Sequence, residues 1–395
     1  MSLSTGCLWS SFMHYPETKL PNVGTTIFSV MSQLATEHHA INLSQGFPDF
    51  DGPQLMRDRV VHYMQSGANQ YAPFIGVPSL RQAIKDKVAR HYGADVDAES
   101  EVTVTSGASE AIYAAITATV RQGDEVIVFD PCYDCYEPAV ELNGGVCRHV
   151  ALDLPEFKIN WQALEQAISP RTRMIIVNAP HNPSGASLSR DELDRLAELI
   201  RDTNILLLGD EVYEHIVFDG LSHNSLLTHK ELAQRSFVIS SFGKTYHITG
   251  WKVGYCIAPG ALSAELRKVH QYITFCTPTP MQLAIADYMN THPEYESELS
   301  GFYQKKRDLF CHEIRRSRFE FTPAKGSYFQ LADYSQISDM DDVSFARWLT
   351  TEAGVAAIPV SVFCERPKPD ARLIRFCFAK NEETLKHAGE RLCRL

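Results

Sequence analysis

The sequence predicts an α/β fold: a large domain on a mainly parallel sheet flanked by helices, joined to a smaller α+β domain. Three observations carry this. Four short apolar, β-favouring runs, at residues 125–129, 174–177, 205–208 and 237–239, are separated by helical patterns, and alternating βαβ units imply parallel pairing. At 395 residues the chain is too long for one ordinary core. From about residue 295 the pattern changes: a helix over 305–315, Gly326-Ser327-Tyr328-Phe329, a helix over 343–349 and an apolar run at 355–360. The division expected is an arm over 1–20, the first part of the small domain over 21–50, the large domain over 51–294 and the rest of the small domain over 295–395, closing over the site.

Composition narrows the function classes. Apolar residues make up 44% and charged residues 22%, enough to bury a large interior. A net charge of -11, from 37 basic and 48 acidic residues, argues against a nucleic-acid surface, which needs a dense basic stripe. The first residues lack a basic start followed by a long apolar core, so they read as a mobile arm and as neither a secretory signal nor a membrane anchor. Ten cysteines without a disulfide-framework spacing fit the cytoplasm. Cys132 and Cys135 form a CxxC, but no second pair of ligands lies nearby, so no metal is expected.

In chain order, Ile27, Val30, Met31 and Leu34 mark an amphipathic helix entered from Gly24-Thr25-Thr26 and ending near His38-His39. A short strand from Ile41 then runs into Gln45-Gly46-Phe47-Pro48-Asp49, where Gly46 leaves the backbone free to approach a ligand. Asn69 to Pro73, including Tyr71, is a loop between two helices that read as ordinary surface helices. The β-rich run 102–104 leads into Thr105-Ser106-Gly107-Ala108-Ser109 and a buried, Ala- and Ile-rich helix. Strand, small-residue loop and helix start make a ready anion site. A capping box, Ser189 with Glu192, starts the helix between the second and third strands.

In open parallel sheets, ligands bind beyond the carboxyl ends of the strands. Just past the ends of the four strands stand Asp130, Pro131 and Tyr133; Asn178 and Asn182; Asp210 and Tyr213; Ser241 and Lys244. Singly, each has a plain explanation, such as a helix cap, a core aromatic or a turn. Together they converge on one edge. An amine able to form a Schiff base, an acid to partner a heterocyclic nitrogen, a phenol and an anion-binding helix start are the parts that pyridoxal phosphate chemistry needs.

The runs Asn182-Pro183-Ser184-Gly185, Asp210-Glu211-Val212-Tyr213, Ser241-Phe242-Gly243-Lys244 and Gly250-Trp251-Lys252-Val253-Gly254 resemble class I aminotransferases of fold type I. Gln45 to Asp49, Tyr133-Asp134-Cys135-Tyr136 and Ile374-Arg375-Phe376-Cys377-Phe378 are similar to the kynurenine aminotransferase and glutamine transaminase branch, including bacterial members that take methionine. The resemblance implies a pyridoxal 5'-phosphate enzyme with Lys244 as the covalent anchor and acid/base. It puts Asp210 on the ring nitrogen, Tyr213 and Asn182 on the ring oxygen, and Tyr133 stacked on the ring. Gly107, Ala108, Ser241 and Lys252 would hold the phosphate, with Tyr71 reaching across from the second subunit of a homodimer. Arg375 would grip the substrate carboxylate, helped by Gly46 and Asn182. A guanidinium fork matches a carboxylate bidentately, which gives that role independent sense.

Two departures bear on the substrate. Lys252 stands where many relatives carry arginine, so its grip on phosphate is a point charge. Residues 272–281 contain no arginine, whereas enzymes for aspartate bring one from about this region. The resemblance therefore implies a neutral donor, methionine or a similar, possibly aromatic, amino acid, passing its amino group to a 2-oxo acid. Phe28, Tyr328 and Phe363 are candidates for its pocket, though as sequence they read first as core aromatics. Kynurenine or glutamine transamination and β-lyase action on sulfur-substituted cysteines share the first chemistry. A non-catalytic sensor on the same fold would expect a basic module before it.

Overall fold

The structure is a computed structural model that describes residues 16–368 and 370–395, so most of the expected arm lies outside the described residues. Its centre is a seven-stranded sheet in the order β2-β8-β7-β6-β5-β3-β4. The strands are β2 (Val102–Thr105), β3 (Glu125–Asp130), β4 (Val146–Ala151), β5 (Thr172–Asn178), β6 (Leu206–Asp210), β7 (Ser236–Ser241) and β8 (Gly254–Ile257). The four strands expected from the sequence, β3, β5, β6 and β7, run parallel side by side. β4 adds a further parallel edge, while β8 turns back antiparallel to β7 and pairs with β2. All six residues of β3 are buried, as are most of β5 to β8, because helices cover both faces of the sheet. The capping box is present as read: Ser189 accepts from the Glu192 backbone and Glu192 from that of Ser189.

Two small sheets complete the chain. β1 (Ile41–Asn42) lies parallel to β10 (Val355–Ala356), and β12 (Leu373–Cys377) is flanked antiparallel by β9 (Phe329–Asp333) and β11 (Ile358–Pro359). The helix Ile27–Glu37, capped by Thr26, sets Met31 against Ala346, Ile358 and Phe363. Residues near the start of the chain are thus built into the sheets near its end, and Gly46, Phe47 and Phe28 reach the edge of the large sheet.

The helix Pro78–Tyr92 corrects the reading of a surface helix, because it buries Arg81 and Lys87 as well as four apolar side chains. Lys87 Nζ donates to Glu214 and, at 2.6 Å, to the Tyr255 hydroxyl; Glu214 also accepts from Ser240 and Tyr92. The Lys87 ammonium and the hydrogen bonds hold the Glu214 carboxyl well below its ordinary range, although burial opposes this. Glu214 immediately follows Tyr213, so the pair pins that segment to β7 and β8. Lys87→Met is expected to destabilise the chain by about 3–5 kcal/mol, since it strands a buried carboxylate. Urea unfolding tests this, and a loss below about 1 kcal/mol would contradict it.

Candidate active site

The carboxyl ends of β5, β6 and β7 open onto one cavity of about 290 Å³. Gly46, Gly107, Ala108, Tyr133, Asn182, Asp210, Tyr213, Ser241, Lys244, Lys252 and Arg375 all line it. Of the cofactor- and substrate-binding residues that the resemblance implies, Tyr71 is elsewhere: it is 84% exposed, with its ring edge-on to Phe275. Asp130 and Pro131, expected at the same sheet edge, also fall outside the cavity lining.

Lys244 sits in a single helical turn, Phe242–Thr245, directly after β7. Its Nζ donates to the Gly46 carbonyl at 3.0 Å and to the Tyr328 hydroxyl at 2.9 Å. Protein atoms surround the amine, and this desolvation lowers its pKa to about 8, with Arg375 and Lys252 adding like-charge repulsion. A neutral amine is therefore within easy reach of physiological pH.

Asp210, the last residue of β6, is buried. Burial raises its carboxyl to about 6, against the pull of Tyr136, whose hydroxyl donates to Oδ2 at 2.6 Å. The Asn178 amide donates to the Asp210 carbonyl at 2.8 Å and accepts from the Asn182 backbone, so it sets both neighbours. A cationic N–H placed against Asp210 would relieve the desolvation that lifts it.

At the other end of the cavity the helix Gly107–Thr119 begins with no side chain capping it. Its first N–H groups and dipole face Lys252 and Ser241. A Cβ on Gly107 would come within 3.3 Å of Lys252 Nζ, and one on Gly254 within 2.9 Å of the Ala108 nitrogen. The glycine at 107 keeps open a cradle that a phosphate would fill, and the one at 254 lets β8 pack closely against the start of that helix. An acid for a ring nitrogen, a phenol on either side, a depressed amine and an uncapped helix start fit pyridoxal phosphate.

Arg375, in β12, is fully buried. Nη1 donates to Asn182 Oδ1 at 2.8 Å and Nη2 to the Ser44 carbonyl at 2.9 Å, while the buried Nε has no partner. Its guanidinium lies 3.9 Å from the Phe329 ring centroid and 5.2 Å from that of Phe28. Among the described residues no carboxylate forms an ion pair with it, which leaves a buried cation awaiting an anion.

Of the three aromatic candidates, Phe28 lines the cavity, Phe363 backs it at 5.8 Å between centroids, and Tyr328 serves Lys244. Sequence reasoning gave no role to Tyr136, Gln45, Ser109 or Thr249. Tyr136 carried a usable signal, standing three residues after Tyr133 where a helix begins.

The profile of the family described as Aminotransferase class I and II matches residues 38–392. The chain is 54% identical to a methionine aminotransferase of Escherichia coli over 96% of this chain and 98% of that one. It is 34% identical to a kynurenine–oxoglutarate transaminase of Dictyostelium discoideum, covering 96% of both. Among solved structures, an Escherichia coli protein whose reactivity identified a methionine aminotransferase function superposes with a TM-score of 0.95 at 54% identity, over 97% of this chain and all of that one. An N-succinyldiaminopimelate aminotransferase of Mycobacterium tuberculosis gives 0.93 at 39%, over 96% of this chain and all of that one.

Proposed function

The chain belongs to the class I and II aminotransferases and is an enzyme of that kind, and from this premise we propose that it uses pyridoxal 5'-phosphate to move the amino group of methionine, or a similar neutral amino acid, to a 2-oxo acid. The carrying observation is the buried, unpaired Arg375 guanidinium facing the same cavity as the depressed Lys244 amine. A substrate α-carboxylate supplies the missing anion, and binding it presents the α-carbon to Lys244.

Pyridoxal phosphate, once bound, supplies the electron sink that makes the α-hydrogen of an amino acid acidic. Asp210 would face its ring nitrogen, Tyr213 and Asn182 its ring oxygen, and Tyr133 its face. Gly107, Ala108, Ser241 and Lys252 would hold its phosphate. Lys244 Nζ would anchor the cofactor and, once the substrate amine has displaced it, would be the neutral amine placed to take the α-proton and deliver it across the nitrogen in a 1,3-shift. Arg375 holds the carboxylate, with Gly46 and Asn182 alongside.

The donor class follows from the remaining wall. Beside Arg375 the lining includes Phe28, Phe47, Phe329 and the neutral Gln45. Among the described residues the other two cations of the cavity, Lys244 and Lys252, are assigned to the amine chemistry and the phosphate, which leaves none for a side-chain carboxylate. Thioethers make favourable contacts with aromatic rings, and the Escherichia coli relative supports the same choice. Product analysis with a 2-oxo acid acceptor decides it: turnover with L-methionine and little with L-aspartate is expected, and the reverse order would overturn the assignment.

Tyr71, Tyr272, Ile273 and Phe275 are exposed apolar side chains, at 84%, 86%, 47% and 41%. They support a homodimer in which Tyr71 reaches the partner's phosphate site, with residues 21–50 and 295–395 closing on 51–294 in each subunit. Light scattering that reports a single 44.4 kDa chain would remove this placement.

The Lys244 amine also fixes a pH dependence. Its neutral fraction grows as pH rises through about 8, and only the neutral amine attacks a carbonyl. The rate at which cofactor-free enzyme captures pyridoxal phosphate should therefore climb toward pH 8 and level above it. A rate still rising steeply past pH 10 would mean an unperturbed lysine.

A further inference from the structure

One group of chemistry-bearing side chains next to the cavity has no part in this reaction. Asp130 ends β3, Cys132 stands two residues later, and His149 lies on the neighbouring strand β4 opposite Val128. Asp130 and Cys132 are buried, and the His149 side chain is 5% exposed. A carboxylate oxygen, the thiol sulfur and a ring nitrogen, one from each, all lie within 4.8 Å of one another. His149 Nδ1 is 2.8 Å from Asp130 Oδ1, whereas the buried Nε2 has no hydrogen-bond partner. The Glu137 carboxylate stands 3.6 Å from it.

The surroundings favour a cation. The charged groups acting most strongly on His149 are Asp130, Glu137 and Glu365, all carboxylates, and two more thiols, Cys147 and Cys364, lie near enough to act on Cys132. All the described cysteines are free. The comparable group of His91, His215 and Glu296 differs, because the Arg90 guanidinium already neutralises its carboxylate, whereas among the described residues no lysine or arginine pairs with Asp130.

We propose that Asp130, Cys132 and His149 form a binding site for a thiophilic divalent cation, with Zn²⁺ as the occupant. Sulfur, imidazole nitrogen and carboxylate oxygen are the zinc donor set, and bonds of about 2.0–2.3 Å draw such atoms into a tetrahedron. With the metal on Nδ1, the ring proton moves to Nε2 and faces Glu137, so the unpartnered nitrogen gains the carboxylate backing that metal-bound histidines have. Binding displaces the Cys132 thiol proton to solvent as the sulfur–metal bond forms, so affinity rises with pH. The fourth position is left to water or to Cys147. The site ties β3 to β4 one residue before Tyr133. The Cys132 nitrogen donates to the Phe363 carbonyl at 2.8 Å and the Glu365 nitrogen to Asp130 Oδ2 at 2.9 Å, so occupancy braces that wall of the cavity.

The test uses the full-length, tag-free enzyme with its cofactor bound, equilibrated with ZnCl₂ and passed into metal-free buffer. About one zinc per chain by mass spectrometry is expected for the wild type, with at least a tenfold weaker affinity, read by competition with a chromophoric chelator, in Cys132→Ser and His149→Gln. Zinc should raise the melting temperature of the wild type and not of the variants. Equal zinc retention by wild type and Cys132→Ser, or none by either, overturns the site. Cobalt(II) titration of the wild type needs no variant: a thiolate-to-cobalt charge-transfer band in the difference spectrum is expected, and its absence overturns thiolate ligation.

Discussion

Lys244→Ala is expected to lower turnover by at least about a thousandfold, within the range that positioned proton transfer contributes, while pyridoxal phosphate still binds. The two parts of this result have separate origins. The amine is the one group in the cavity with both a neutral form near pH 8 and a place beside Gly46 and Tyr328. The phosphate cradle at Gly107, Ala108, Ser241 and Lys252 stands at the other end and keeps its geometry without the lysine. The measurement is single-turnover kinetics beside equilibrium cofactor binding. Turnover within tenfold of the wild type would remove Lys244 from the chemistry.

Arg375→Ala is expected to cost about 2–4 kcal/mol in kcat/KM, about 30- to 1000-fold, for every amino acid tested. The guanidinium is fully buried, has no acid as partner, and is held in place by Asn182 and the Ser44 carbonyl. Removing it leaves a substrate carboxylate desolvated against Phe329 and Phe28 with nothing to neutralise it. Arg375→Lys should recover part of the loss, since a point charge replaces the fork. Michaelis constants unchanged across donors in the alanine variant would show that the carboxylate binds elsewhere.

Much of this site could be read from residues because short loops leave the ends of buried strands. The runs that became β3, β5, β6 and β7 are continuous apolar stretches, so the residues just beyond each had to stand at one sheet edge. The Ser189–Glu192 capping box is a local signal and formed as read. Other parts depend on partners far apart in sequence. Lys87 meets Glu214 across 127 positions, and the helix that carries it has the charge pattern of a surface helix. Tyr136 meets Asp210 across 74. β4 reads poorly because it is an edge strand whose Val146, Arg148 and Ala151 are exposed, leaving no continuous apolar run. Arg375 came from resemblance, since nothing local says that a strand 193 residues away from Asn182 would bring a guanidinium to it. The cluster at Asp130, Cys132 and His149 was hidden for the same reason: the CxxC of Cys132 and Cys135 was set aside for want of further ligands nearby in sequence, while the histidine came from the unrecognised edge strand.

The most direct test of the central claim is the visible absorbance of the purified enzyme, loaded with pyridoxal phosphate, before and after adding L-methionine without an acceptor. The account predicts a yellow protein that bleaches with methionine and regains its colour when a 2-oxo acid is supplied. A protein that takes up no cofactor, or whose colour no neutral amino acid alters, would contradict it.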